Sequence, residues 1–193
     1  MREMDCIEAI LGRRSCRSFK NQKVEQEKII TILKCGLYAP SPANKQPWEF
    51  IVVENPEYNE KLKAAVEHSK EKLVEKSGWA WIPKYKVDFI TQAPVLIVVV
   101  GDPSKNGAEQ FLEEPSQGFE HACSAAIQNM LLAAHSMELE TLWLSLFEKV
   151  DARKIFKIDE DKEPIAIICL GYPEYVGQAP PRKSIESKVK FIK

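Results

Sequence analysis

Ala39-Pro40-Ser41-Pro42-Ala43-Asn44-Lys45-Gln46-Pro47-Trp48 carries three prolines in ten residues. That density rules out a helix or a central strand, because each proline removes a backbone donor and restricts its neighbour. The stretch therefore reads as a stiff loop. It sets short polar side chains and backbone amides on a framework that has little entropy left to lose on binding. Asn44 offers both a donor and an acceptor, which suits the polar edge of a flat heterocycle. The plainer reading is a rigid turn ahead of a strand.

On either side of this loop the chain alternates between helical and extended patterns. Residues 48–54 are rich in aromatic and β-branched types and read as a strand. Asn55-Pro56 starts a helix, with proline at the first helical position, and Leu62, Ala65, Val66 and Leu73 form one side of it. Residues 95–100 and 164–172 are apolar strands, and 141–147 is a shorter one. Residues 119–137 form a helix whose apolar residues cover more than one stripe, so deep burial or a subunit contact is expected. A short helix follows at 150–156. Towards the N-terminus, Asp5 and Glu8 make a capping box for a helix that Gly12 ends. A second helix over 25–37 carries the stripe Ile29, Ile30, Leu33 and Leu37. Residues 101–118 read as a long polar loop. The aromatic stretch 79–85 has no clear period. Packing at an interface is expected for it, with a roof over a substrate site as the alternative. No linker or repeat interrupts residues 1–193, so a single α+β domain with its sheet covered by helices is expected.

Composition narrows the function. The 193 residues hold 27 Lys plus Arg against 28 Asp plus Glu, a formal charge of -1. Such balance argues against a general nucleic-acid binder. The cysteines (Cys6, Cys16, Cys35, Cys123 and Cys169) are too widely spaced for a C-x-x-C motif, and suit free thiols in a reducing compartment. The start is charged, and the apolar runs are strand-sized, so a cytoplasmic protein with no membrane partner is expected. None of the eight glycines forms G-x-G, so the dinucleotide fingerprint and the P-loop are both missing. No H-E-x-x-H or G-x-S-x-G occurs. His68, His121 and His135 read as structural or surface residues, and no metal is expected.

Arg13-Arg14-Ser15-Cys16-Arg17 sets three guanidinium groups and a hydroxyl just past a helix end. They can complement the helix dipole, or they can cradle an anion, since guanidinium forks match phosphate oxygens in pairs. Arg182 and Lys183, after Pro180-Pro181, are either a solvated tail or a second pair of phosphate cations. Leu142-Trp143-Leu144-Ser145 alone reads as core strand.

Together these pieces resemble the nitroreductase family of FMN enzymes, in the family's order and over nearly the whole chain. The R-R-S-x-R-x-F opening is at 13–19, the A-P-S-x-x-N-x-Q-P-W loop at 39–48, and the Q-N-M-L-L-A-A-H helix at 128–135. G-Y-P is at 171–173, and P-R is Pro181-Arg182. The resemblance implies a nitroreductase-like α+β fold: a central, mostly antiparallel sheet covered by helices, in an intertwined homodimer with FMN at the interface. By similarity Arg13, Ser15 and Arg182 hold the phosphate, with Arg14 and Lys183 nearby. Arg17 lies against N1 and O2 of the ring, where negative charge collects on reduction. Pro40, Ser41, Pro42 and Asn44 reach the flavin of the partner chain, and Gln46 and Trp48 support their loop. The backbone around Leu144 and Ser145 donates towards N5. No side chain stands out as an obligatory acid or base.

The activity implied is electron transfer from NAD(P)H to a nitroaromatic, a quinone or a similar small-molecule acceptor by ping-pong turnover. Alternatives are a dehydrogenase, dehalogenase or flavin-cleaving enzyme on the same fold, or a flavin binder without turnover. One departure stands out. The family often has G-L-G after the long helix, and this chain has Glu138-Leu139-Glu140. Glutamate in a left-handed cap costs about 1 kcal/mol, so a different turn is expected there. Two acids near the flavin would also oppose its reduced anion.

Overall fold

Six consecutive apolar residues, 95–100, suit a strand only where both faces are covered. The computed structural model, which describes residues 4–175 and 177–193, covers both. Met1–Glu3, part of the charged start noted above, lie outside the described residues. Strand β2 (Val95–Gly101) lies inside a four-stranded, wholly antiparallel sheet of order β1-β2-β4-β3. Its companions are β1 (Trp48–Val53), β3 (Glu140–Leu144) and β4 (Glu163–Gly171). Alternate residues serve opposite layers. Val95, Ile97 and Val99 pack with Ile29 and Ile32 of α2 (Gln26–Leu37) and with Ala126, Ile127 and Met130 of α5 (Gly118–Ser136). Leu96, Val98 and Val100 pack with Leu62 and Val66 of α3 (Pro56–Ser77), Phe89 of α4 (Phe89–Gln92) and Phe156 of α6 (Lys149–Phe156). The α+β architecture with a helix-covered antiparallel sheet is thus the one observed.

Local rules account for the element ends. Helix α1 (Cys6–Gly12) opens with the expected capping box, Asp5 Oδ1 accepting from the Glu8 amide at 2.8 Å. Asn55 caps α3 by accepting from the Glu57 amide, and Gly78 closes it in the left-handed conformation at φ 65°. Helix α5 is buried around most of its circumference, as its composition required.

Some expectations need correction. Of the expected stripe of α2, Ile29 is buried and Leu33 packs half-buried against the core, but Ile30 and Leu37 are exposed and Ile32 and Gly36 are buried in their place; the inward face is shifted around the helix because α5 packs along it. The strand expected at 141–147 ends at Leu144, where its pairing with Ile167 of β4 ends and the chain turns towards α6. The loop at 101–118 contains two 3-10 turns, Pro103–Lys105 and Ala108–Phe111. Asn106 accepts there from the Phe119 amide at 3.0 Å and satisfies the start of α5. Contrary to expectation, the turn after α5 does keep a left-handed residue, Glu138 at φ 64°.

Candidate functional site

The two ends of the chain are sewn together by one extended segment. After α1, Ser15 bridges to Thr141 of β3 in parallel, and the Cys16 amide donates to the Thr141 carbonyl at 2.9 Å. A few residues on, the Lys20 amide donates to Tyr172 at 2.9 Å, and the Glu174 amide donates back to Ser18 at 3.0 Å. Residues 13–20 thus lie between β3 and the chain that leaves β4. That placement brings Arg13 within Coulombic reach of Arg182.

Arg13 is the centre of this group. Burial lowers its pKa, Glu140 opposes that shift, and the positive charges of Arg14 and Arg182 lower it further. Arg14 itself bonds to the end of α1, donating to the Leu11 carbonyl at 2.7 Å and the Arg13 carbonyl at 2.8 Å. The helix-end reading therefore holds for Arg14. Among the described residues no carboxylate ion-pairs with Arg13, Arg17 or Arg182. Ser15, Arg182 and Lys183 are exposed.

One acid adjoins this cationic group. Glu140 is 4% exposed, and its Oε1 lies 2.7 Å from Nδ1 of His135. Its Oε2 and the Thr141 hydroxyl are buried and have no hydrogen-bond partner. Buried polar atoms left this way are rare and call for a ligand, a water or an ion. Gly12 is part of the same packing, because a Cβ there would come within 2.6 Å of His135 Nε2. His135 is thus structural, as expected, but its partner was missed. The missed signal was a histidine and a glutamate on either side of one tight turn.

The proline loop holds unusual backbone. Pro42–Asn44 forms a single 3-10 turn, and Ala43, Asn44 and Gln46 have φ values of 47°, 53° and 45°. Each left-handed non-glycine residue costs about 1 kcal/mol or more. The loop keeps this strain through internal bonds. The Gln46 amide donates to Ser41 Oγ at 3.0 Å, and Gln46 Nε2 donates to Asn44 Oδ1 at 3.2 Å. Trp48 anchors the exit in the core, and Pro42 seats against Gly107 and Gly118. The loop at 101–118, which carried no legible motif, is therefore its buttress. None of the loop's hydrogen bonds reaches Arg13 or Arg182 among the described residues.

Three further expected residues lie around this group. Leu144 is buried at the end of β3, and Ser145 is exposed just beyond it. Arg17 is exposed, donates to the Ser15 carbonyl at 3.4 Å, and lies 5.7 Å over the ring of Tyr85. Among the described residues no cluster of three or more His, Cys, Asp or Glu could hold a metal, and no helix is long and apolar enough to cross a membrane.

The chemistry of this donor set suits a phosphomonoester. A half-buried and an exposed guanidinium group, a nearby serine and the unpartnered Thr141 hydroxyl can donate to its oxygens, while the acid Glu140 is set against it. The strained loop presents an amide edge.

Comparison with known proteins agrees. Residues 10–172 match the Nitroreductase family. The chain is 34% identical over 175 residues to a Methanothermobacter thermautotrophicus protein named "Putative NADH dehydrogenase/NAD(P)H nitroreductase", covering 89% of this chain and 78% of that one. It is 28% identical over 183 residues to iodotyrosine deiodinase of Haliscomenobacter hydrossis, covering 87% and 79% of the two chains. Among solved structures, an FMN-dependent nitroreductase of Clostridium difficile R20291 superposes with a TM-score of 0.73 at 27% identity, covering 96% and 98%.

Proposed function

The chain belongs to the Nitroreductase family, and from that premise we propose that it is an FMN-dependent oxidoreductase moving electrons from NAD(P)H to a small organic acceptor in alternating half-reactions. One observation carries the reading: the extended segment at 15–20, hydrogen-bonded to Thr141 and Tyr172, brings Arg13 from one end of the sequence within Coulombic reach of Arg182 from the other, with no carboxylate at ion-pair distance from either among the described residues, Glu140 acting on Arg13 only from farther off. Like charges converge in this way where an anion is to be held.

Arg13, Ser15 and Arg182 would hold the phosphate of FMN, with Lys183 beside them and Arg14 keeping the end of α1 in place. Bound FMN supplies a ring that takes up two electrons and gives them to a second molecule. Arg17 fixes a positive charge where that ring gains negative charge, and a preorganised charge stabilises what develops. The backbone at Leu144 and Ser145 orients the ring through its N5 edge.

Pro40, Ser41, Pro42 and Asn44 serve the site of a second copy of the chain. Two features support a homodimer. The loop's bonds stay apart from the arginines of its own chain, and Ile7, Leu11, Leu37 and Tyr38 lie outward on and beside α1 and α2. Exposed apolar residues in such number mark a contact surface. The chain forms one domain over residues 1–193 in this reading.

The test is the visible spectrum of the purified protein. A yellow dimer, bleached by NADH or NADPH without oxygen and recoloured by a nitroarene or a quinone, is the expected result. A colourless protein that takes up no added FMN overturns the proposal.

A further inference from the structure

Beside Arg17 lies a cleft of about 570 Å³ whose lining includes Lys84, Tyr85, Lys86, Asp88 and Phe89. Its charge is one-sided. Asp88, its one carboxylate among the described residues, is already held by Lys63 of α3 at 2.7 Å. That hydrogen bond and charge keep the Asp88 carboxyl below its ordinary value. Arg17, Lys84 and Lys86 have no carboxylate at ion-pair distance among the described residues. Three cations border a single space, Lys86 also acting from a distance on Asp88.

Tyr85, Phe89 and Tyr175 are the aromatic residues that line that space. From it a row of rings leads away, Phe89 to Tyr85 to Trp81 to Trp79, with successive centroids 6.1, 5.9 and 6.1 Å apart. Ile82 and Val87 anchor the segment in the core, yet Trp79 and Trp81 stay 60% and 49% exposed. Leaving two indoles in water forgoes burial that would otherwise stabilise the fold. Arg17 lies over Tyr85 at a distance suited to a cation–π contact, so the residue assigned to the flavin edge also borders the cleft.

We propose that this cleft binds flat aromatic molecules bearing an anionic group, a carboxylate being the simplest. The ring lies against Tyr85, and the charge lies towards Lys84 and Lys86. Calling such a molecule the electron acceptor rests on the flavin reading above; its binding does not.

The test is a titration of the protein as purified with 4-nitrobenzoate and with the uncharged 4-nitrobenzamide. Tryptophan emission reports binding, because a nitroarene against Tyr85 comes close enough to quench Trp81, whose ring centroid is 5.9 Å from that of Tyr85. At low salt 4-nitrobenzoate binds about three- to tenfold more tightly than the amide, the size of one or two partly screened contacts. Its advantage shrinks towards physiological ionic strength, where charges beyond about 8 Å are screened. In the double variant Lys84→Gln, Lys86→Gln the two dissociation constants converge. Both lysines are exposed, so the fold tolerates the exchange. Equal constants in the unaltered protein, or an advantage that survives the double substitution, overturns the proposal. Should the protein take up no FMN yet still prefer 4-nitrobenzoate, the flavin reading falls and this one stands.

Discussion

Nδ1 of His135 lies 2.7 Å from Oε1 of Glu140, and this contact determines what an acid does beside a group of arginines. From sequence, Glu140 is a negative charge near a cofactor that becomes more negative on reduction. The structure buries it, ties it to the last turn of α5, and lets its field support the charged form of Arg13. The acid at position 140 thus belongs to the scaffold beside Arg13. Removing it has two opposite effects. In Glu140→Gln the hydrogen bond to His135 becomes a neutral one, and urea unfolding shows a stability loss of about 1 kcal/mol. FMN then binds about threefold more tightly, because one partly screened repulsion is gone. Weaker FMN binding in this variant would place Glu140 away from the phosphate.

Arg182 is exposed on the C-terminal tail, so its substitution tests the site without testing the core. Arg182→Ala raises the FMN dissociation constant about ten- to a hundredfold, the value of a charged hydrogen bond of about 1.5–3 kcal/mol. The urea midpoint of the FMN-free protein stays where it was. An unchanged dissociation constant removes Arg182 from the site.

Arg17 is expected to act on the ring. In Arg17→Ala the two-electron midpoint potential falls by on the order of 30 mV, equal to about 1.4 kcal/mol. A redox titration with a reference dye measures it. No fall means that Arg17 serves the cleft beside Tyr85 and not the flavin.

Gly107 tests the buttress. A Cβ at this position would overlap Pro42, whose ring cannot rotate away, and the end of Glu109, which can. Gly107→Ala therefore displaces the proline loop, at the cost of about 1–3 kcal/mol usual for overpacking. FMN affinity drops although residue 107 is assigned no contact with FMN. Chemical denaturation together with FMN titration checks both. Unaltered affinity would separate the loop from the site.

Asp102 follows β2 and starts the loop that reaches Gly107. Burial pushes its carboxyl up, but hydrogen bonds from Lys162 and Ser104 outweigh this and bring it below its ordinary value. An Asp with a lowered folded pKa stabilises the fold above its unfolded value, near 3.9, and that contribution fades as pH falls through the folded value. Acid unfolding is therefore steeper below about pH 4 in the unaltered protein than in Asp102→Asn. Urea midpoints from pH 6 down to pH 3 give the comparison, and parallel curves would exclude Asp102 as a source of acid lability.

Much of the fold was legible because its signals are local. The capping box at Asp5 and Glu8, the proline at the start of α3 and the apolar run of β2 each act within a few residues. The face of α2 was harder to read. Ile29, Ile30, Leu33 and Leu37 form a plausible stripe, yet Ile32 and Gly36 are the residues buried with Ile29. Periodicity reports that a helix has an apolar side. Which of two overlapping sides turns inward depends on the neighbour, here α5, where Met130 needs the space that Gly36 leaves.

The candidate site divides along the same line. The arginines, the serine and the stiff proline loop were visible as residue types in a given order, because chemistry belongs to side chains and stiffness to proline rings. Their grouping was not visible. Arg13 comes within Coulombic reach of Arg182 because residues 15–20 hydrogen-bond to β3 on one side and to the chain beyond β4 on the other. Glu140 meets His135 because Glu138 takes a left-handed turn, and Tyr85 meets Arg17 across segments far apart in the chain. Spacing rules extend about one helical turn, whereas these contacts come from strand register and close packing, which are properties of the assembled core.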